Sequence, residues 1–223
     1  MTRITRLATD LTGPSVNSLK RLVHAYPADV TPNHRYLASD VALGNVGLWS
    51  DRVGTAHFSL TPTSQRVARI QDGRPEVYMA GGGSLTVTVS STQPITLVML
   101  MKSAVAAPAT NAEILAMGGV GLLSINTAGK LIGSGTGAVA STDSVGTTAW
   151  RAVTLVVNGA SSVVGLDEEE TTMSMGTSAG TNLRIGSTST ALQFSVRELV
   201  TFSGVLTSAQ RKTVRATMKA ALT

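Results

Sequence analysis

Four consecutive carboxylates, Asp167-Glu168-Glu169-Glu170, are the densest concentration of reactive side chains in the chain. Acidic groups this close repel one another and want water, a basic partner or a hard cation such as calcium. Three environments therefore stay open for the run: a solvated hairpin end, a contact with a basic surface, or a cation site. Its spacing matches no EF-hand or other specific calcium loop. Glycoside hydrolysis is the other chemistry that paired carboxylates suggest, because it needs two of them across a cleft. Glu168 and Glu170 stand two apart, which puts both on one face of an extended segment. Aromatic rings to hold a sugar are scarce, at 4% of residues, and this argues against an enzyme.

Other chemistries find less support. His24, His34 and His57 are dispersed, without metal-ligand spacing. There is no Cys, which excludes disulfides and thiolate zinc sites and suits folding in a reducing cytosol. No Gly-x-Ser-x-Gly elbow is present. Gly133-Ser-Gly-Thr-Gly137 lacks the Lys-Ser/Thr of a phosphate cradle and reads as a loop. No catalytic residue and no cofactor is expected, calcium at the acidic run being the one candidate ion. Trp49, beside polar Ser50 and Asp51, is open to two readings, core or ligand contact. Trp150 heads a strand and reads as core, and Tyr26, Tyr36 and Tyr78 are too isolated in sequence to suggest a stacking platform.

The elements that would position these residues are mostly strands. From Leu85 to Leu206, short β-branched runs alternate with Gly, Ser, Thr and Asn turns every 8 to 15 residues, with no strand–helix–strand rhythm. Leu85, Val87 and Val89 share one face of a strand and Thr86 and Thr88 the other. Ile95–Met101 is too short to cross a bilayer. Trp150–Val157 ends at Asn158-Gly159, and Ser162–Leu166 returns antiparallel to it. The chain closes on a helix over 208–221, capped by Thr207 with Gln210 three residues on, with Val214 and Met218 in its buried stripe. The prediction is an all-β, two-sheet antiparallel sandwich with a C-terminal helix, spanning 41–223.

Residues 1–40 read as an N-terminal arm. Leu19, Leu22, Val23 and Tyr26 have helical spacing between a Ser15 or Asn17 cap and Pro27. Two turns of helix cannot stand alone and must lie on the sandwich or on a neighbouring subunit. Arg3, Arg6 and Arg21 bias the arm positive, so these seven residues are the expected docking set. The start of the chain has no apolar core of a secretory signal. A net charge of +5 spread over only 14% charged residues, with no basic block, is a weak field and argues against a nucleic-acid partner.

Several segments, in order, resemble the laminin G-like branch of the concanavalin A-like jelly rolls. Leu48-Trp49-Ser-Asp51-Arg-Val-Gly54 and Arg74-Pro-Glu-Val-Tyr-Met-Ala-Gly81 resemble the opening of such domains in bacterial and phage proteins. Trp150-Arg-Ala-Val-Thr-Leu-Val-Val-Asn158-Gly159 is similar to the family's Trp-led central strand, and Leu183-Arg-Ile-Gly186 to its Leu-x-Ile-Gly strand. Glu198–Leu206 followed by Thr207-Ser-Ala-Gln210 resembles the terminal strand and helix. The resemblance covers roughly residues 45–220 and departs from the family at Gly165-Leu-Asp167-Glu168, where an Asp-Gly pair is usual. It implies the jelly-roll fold and, as in phage virion components, a non-enzymatic structural role: decoration of a capsid through the arm, made in the host cytoplasm and carried in the virion. Major capsid or tail proteins, further copies of the chain and a host-surface glycan are the implied partners, with no nucleic acid and no membrane insertion. Tail attachment and carbohydrate binding are the alternatives.

Overall fold

Period-two alternation builds two sheets that share one apolar interior. The computed structural model describes Tyr26 and residues 29–59, 65–118, 121–134, 139–147, 149–177, 180–186 and 192–221. The first half contributes β1 (His34–Leu37), a 3₁₀ turn (Ala38–Asp40), β2 (Gly44–Asn45), β3 (Leu48–Trp49), β4 (Phe58–Ser59), β5 (Arg66–Gln71), β6 (Arg74–Met79), β7 (Ser84–Ser91) and β8 (Ile95–Ser103). Then come β9 (Ala112–Met117), β10 (Gly121–Ile125), β11 (Lys130–Ser134), β12 (Val139–Ser144) and β13 (Arg151–Val157). The chain finishes with β14 (Ser162–Leu166), β15 (Glu169–Met173), β16 (Gly180–Gly186), β17 (Phe194–Ser203) and helix α1 (Ser208–Ala220). The all-β sandwich with a C-terminal helix is the fold observed.

Among the described residues one sheet has nine strands in the order β15-β14-β13-β8-β17-β6-β5-β2, with β1 also on β17, and the other runs β12-β11-β10-β9-β16-β7. Every pairing is antiparallel. Between the sheets lie Leu97, Met99 and Met101 of β8, Val153 and Leu155 of β13, Leu183 and Ile185 of β16, and Leu85 of β7. Burial of so much apolar area is the main stabilising term of such a sandwich. β17 is central: it pairs with β8 along its length and with β6 and then β1 on its other edge. Its register slips between Val196 and Glu198, a bulge that leaves Arg197 as the extra residue.

A second apolar cluster lies on the outer face of the nine-stranded sheet. Val98, Leu100, Ala152, Val200 and Phe202 meet Val214 and Met218 of α1, with Tyr26 and Trp150 at its margin. α1 begins with the expected capping box, in which the Thr207 hydroxyl accepts from Gln210 N–H and the Gln210 side chain accepts from Thr207 N–H.

Four readings of the sequence change. The sandwich starts at His34 rather than Val41, because Tyr36 and Leu37 are buried and β1 pairs with β17. Residues 34–40 therefore belong to the body rather than to the arm. The acidic run is not simply a hairpin end: Asp167 and Glu168 make the turn, and Glu169 and Glu170 open β15. β12 and β15 had no signal in the sequence, because Val139–Ser144 and Glu169–Met173 are polar strands at the sheet edges. Trp150 lies at the margin of the outer cluster, not between the sheets.

Candidate functional site

The acidic run meets the C-terminal helix. Pairing of Gly165 with Glu170 sets Glu170 on the face that α1 covers. Arg211 donates to it from Nε (2.9 Å) and Nη2 (2.5 Å), Arg215 from Nη1 (2.9 Å) and Ser208 from its hydroxyl (2.9 Å). Burial pushes the Glu170 carboxyl up, but these hydrogen bonds outweigh it and hold the group at about 2. Arg215 is buried and also donates to Thr154 (3.0 Å). Asp167 accepts from Ala152 N–H (2.9 Å) and forms ion pairs with Arg151 (2.9 Å) and Lys219 (3.1 Å). Glu169 accepts from the Thr142 hydroxyl and Asp143 N–H. Glu168 is exposed at the turn. The basic partner of this run is therefore the chain's own α1 and β13. A carboxylate held ionised by two guanidiniums is also poorly suited to act as a general acid near neutral pH.

Trp49 belongs to the core and is closed to a ligand. It is 0% exposed, donates from Nε1 to Leu37 O (2.8 Å), and packs with Tyr36 and Phe58. Two residues on, Asp51 organises the loop that leaves β3. Its carboxylate accepts from Arg35 N–H (3.0 Å) and Val53 N–H (3.0 Å), and lies 2.6 Å from His34 Nδ1. Burial raises the Asp51 carboxyl, yet hydrogen bonds from Arg35, His34, Gly54 and Val53 bring it below the usual range. Asp51 N–H in turn donates to His57 Nδ1 (3.0 Å). A Cβ at Gly54 would stand 2.6 Å from Asp51 Oδ2, so the Trp-x-Asp-x-x-Gly pattern is a folding device. Among the described residues, no group of His, Asp and Glu could hold a metal ion.

Of the seven arm residues, Arg3, Arg6, Leu19, Arg21, Leu22 and Val23 lie outside the described residues. So does the short helix, apart from Tyr26 at its end. Tyr26 lies on the chain's own body, edge-on to Phe202 with Arg35 over its ring, and its hydroxyl donates to Glu198 (2.5 Å). Burial and the Glu198 charge push its phenol above the usual range.

The six-stranded sheet turns the other way. Its outer face has no helix over it among the described residues and holds an open depression of about 270 Å³ lined by Thr86, Ala116, Gly118, Asn182 and Arg184. Glu113 clamps the Arg184 guanidinium through both oxygens, at 2.5 and 2.6 Å. Gly118 N–H donates to Asn182 O (2.7 Å), and a Cβ at Gly118 would stand 3.3 Å from Asn182 Cβ. The floor offers hydroxyl, amide and guanidinium groups and no aromatic ring. Sequence reasoning passed over these residues, whose only sign was the polar half of the alternation in β7 and β16. Among the described residues no helix is long and apolar enough to cross a membrane.

Neither a family model nor a curated protein matches the sequence. Solved structures do match in shape. The chain is similar to Trypanosoma rangeli sialidase in complex with sialic acid (TM-score 0.64, 15% identity), over 84% of this chain and 33% of the sialidase. It is similar to domain 4 of AbnA, a GH43 extracellular arabinanase from Geobacillus stearothermophilus, in complex with arabinotriose (TM-score 0.60, 13% identity, 83% of this chain and 98% of that domain). The receptor binding domain of botulinum neurotoxin type G also matches (TM-score 0.60, 8% identity), over 84% of this chain and 51% of that one. The chain thus spans a third of the sialidase's length, and at these identities the likeness is one of sandwich fold alone.

Proposed function

We propose that this chain is a non-enzymatic structural protein of a bacteriophage virion, a jelly-roll body that decorates the capsid and holds one sheet face toward solvent or a host surface. The observation that carries the reading is the opposite treatment of the two outer faces. α1 and Tyr26 cover the part of the nine-stranded face around Val98, Leu100, Val200 and Phe202, while the six-stranded sheet has no such cover among the described residues. A body with a helix over part of one face and a bare opposite face suits a mount with distinct attached and presenting surfaces. Asp167 and Glu170 of the acidic run hold the body together, which fits a role without catalysis. Capsid or tail proteins and further copies of the chain are its proposed partners, and synthesis in the host cytoplasm precedes assembly. Quantitative mass spectrometry of purified virions tests this: hundreds of copies per particle support decoration, a handful moves the chain to the tail, and none overturns the reading.

A carbohydrate-binding module is the second reading, favoured by the polar depression around Asn182 and Arg184. The AbnA domain of the same fold was seen with arabinotriose, which lends it support. A glycan array with the Asn182→Ala and Arg184→Ala proteins tests it. Binding to neutral glycans that both substitutions abolish supports the module, and no glycan signal from the unaltered chain rejects it.

A further inference from the structure

Sheet register gathers on one face the aromatic and cationic side chains that the sequence scatters. Lys102 of β8 pairs with Ser195 of β17, and Ser195 pairs with Tyr78 of β6. One step beyond the Arg151–Met101 pair, the β13–β8 register sets Trp150 beside Lys102. Met101, Val77 and Val196 point into the core, so the row Trp150, Lys102, Ser195, Tyr78 belongs to the outer face of the nine-stranded sheet. Trp150, Lys102 and Tyr78 each keep part of their surface in water. With strands about 4.8 Å apart, the two aromatic residues at the ends stand roughly 14 Å from each other, the length of a short oligosaccharide.

Two guanidiniums fix the rings. Arg69 of β5 lies 3.9 Å from the Tyr78 ring centroid, and its Nε donates to Glu76 (2.8 Å). Its side chain is 41% exposed, and its Nη groups have no partner among the described residues. The bulge in β17 frees Arg197 to lie 4.0 Å from the Trp150 centroid. Arg197 is 4% exposed and donates to Gln71 O (3.2 Å). Its Nε has no hydrogen-bond partner, and no carboxylate pairs with it among the described residues. The Tyr78 hydroxyl donates to exposed Gln193 (2.6 Å), which holds the phenol in place. Lys102 forms no ion pair among the described residues.

We propose that this row is a binding site for an acidic oligosaccharide, with a sugar carboxylate between Arg69 and Lys102 and sugar rings along the parts of Tyr78 and Trp150 that the two guanidiniums leave uncovered. Arg69 and Lys102 supply positive charge that Glu76 only partly offsets, which selects an anion. Rigidly held aromatic rings with an adjacent amide suit the alternating C–H and hydroxyl surfaces of a sugar better than a flexible acidic peptide. Arg197 is a positioning residue that sets the Trp150 ring. The inference goes beyond the proposed function: it names a ligand class for the part of the nine-stranded face that α1 leaves in water, on a different sheet from the Arg184 depression.

Isothermal titration with trigalacturonate, its neutral counterpart galactotriose and an oligoglutamate peptide tests the site. The expected result is trigalacturonate binding that added salt weakens and that Lys102→Gln reduces about tenfold, with Arg184→Ala binding as the unaltered chain does. Tyr78→Phe, which keeps the ring, should retain most of the affinity, and circular dichroism checks that each variant is folded. The proposal is overturned by equal binding of galactotriose, by tighter binding of oligoglutamate, by loss through Arg184→Ala instead of Lys102→Gln, or by no binding. None of these results depends on copy number in virions, so the site and the virion reading fail separately.

Discussion

Arg215 of the C-terminal helix donates from Nη1 to Oε1 of Glu170 at 2.9 Å, and the arginine is almost wholly removed from water. The pair joins the last element of the chain to an edge strand of the nine-stranded sheet, 45 residues away in sequence. Arg211 shares the same carboxylate, so two helix cations depend on a single anion.

Loss of that anion should strand both cations. Glu170→Gln is expected to cost about 3–5 kcal/mol, because removing one partner leaves charge buried without compensation. For a chain of this size that is a fall in Tm on the order of 10 °C. Pairing it with Arg215→Met should recover part of the loss, which differential scanning calorimetry would read. A single variant as stable as the unaltered chain would show that the pair contributes nothing.

Acid should loosen the helix through the same group. Glu170 sits at about 2 in the folded chain against an ordinary 4.5, so folding favours its ionised form. Its contribution is complete above about pH 4.5 and is lost as pH falls from there through about 2. Asp51, also lowered, acts in the same direction. Urea midpoints measured from pH 7 to pH 2 should converge for the unaltered and Glu170→Gln proteins. A gap that stays constant with pH would contradict this assignment.

The loop after Trp49 should tolerate no side chain at Gly54. An added Cβ would approach Asp51 Oδ2 at 2.6 Å and His34 Nδ1 at 2.9 Å, both held by other bonds. Gly54→Ala should cost about 1–3 kcal/mol by overpacking. Asp51→Ala should cost at least as much, because it leaves the N–H groups of Arg35 and Val53 without their acceptor. Denaturant unfolding followed by tryptophan fluorescence would measure both, and unchanged midpoints would dismiss the clamp.

The helix cap is a smaller, local contribution. Thr207→Ala removes the side-chain half of the capping box and should cost about 1 kcal/mol. Amide hydrogen exchange should speed up in the first turn of α1 and leave β17 unchanged. Equal protection in that turn would mean packing of Val214 and Met218 alone holds the helix start.

The sequence by itself determined the elements whose signals are local. Alternation of Leu85, Val87 and Val89 with Thr86 and Thr88 reports a half-buried strand wherever that strand sits, since the side-chain period is a property of extended backbone. The Thr207–Gln210 box needs only three residues of chain to be recognised. The edge strands β12 and β15 escaped notice because their sequences are mostly polar and β15 sends a single residue, Met173, into the core, too little to show an alternation. Tertiary structure alone decided where long-range partners fall. Tyr26 meets Glu198 across 172 residues, and β1 enters the sheet because Tyr36 and Leu37 find cover there. The acidic run looked like the place for chemistry until α1 folded over it and turned Glu170 into a fastening. Tyr78, isolated in sequence, joined Lys102 and Trp150 in one row through the pairing of β6, β17, β8 and β13. Register is a relation between strands, set by the packing of the whole core, and so no single segment carries it.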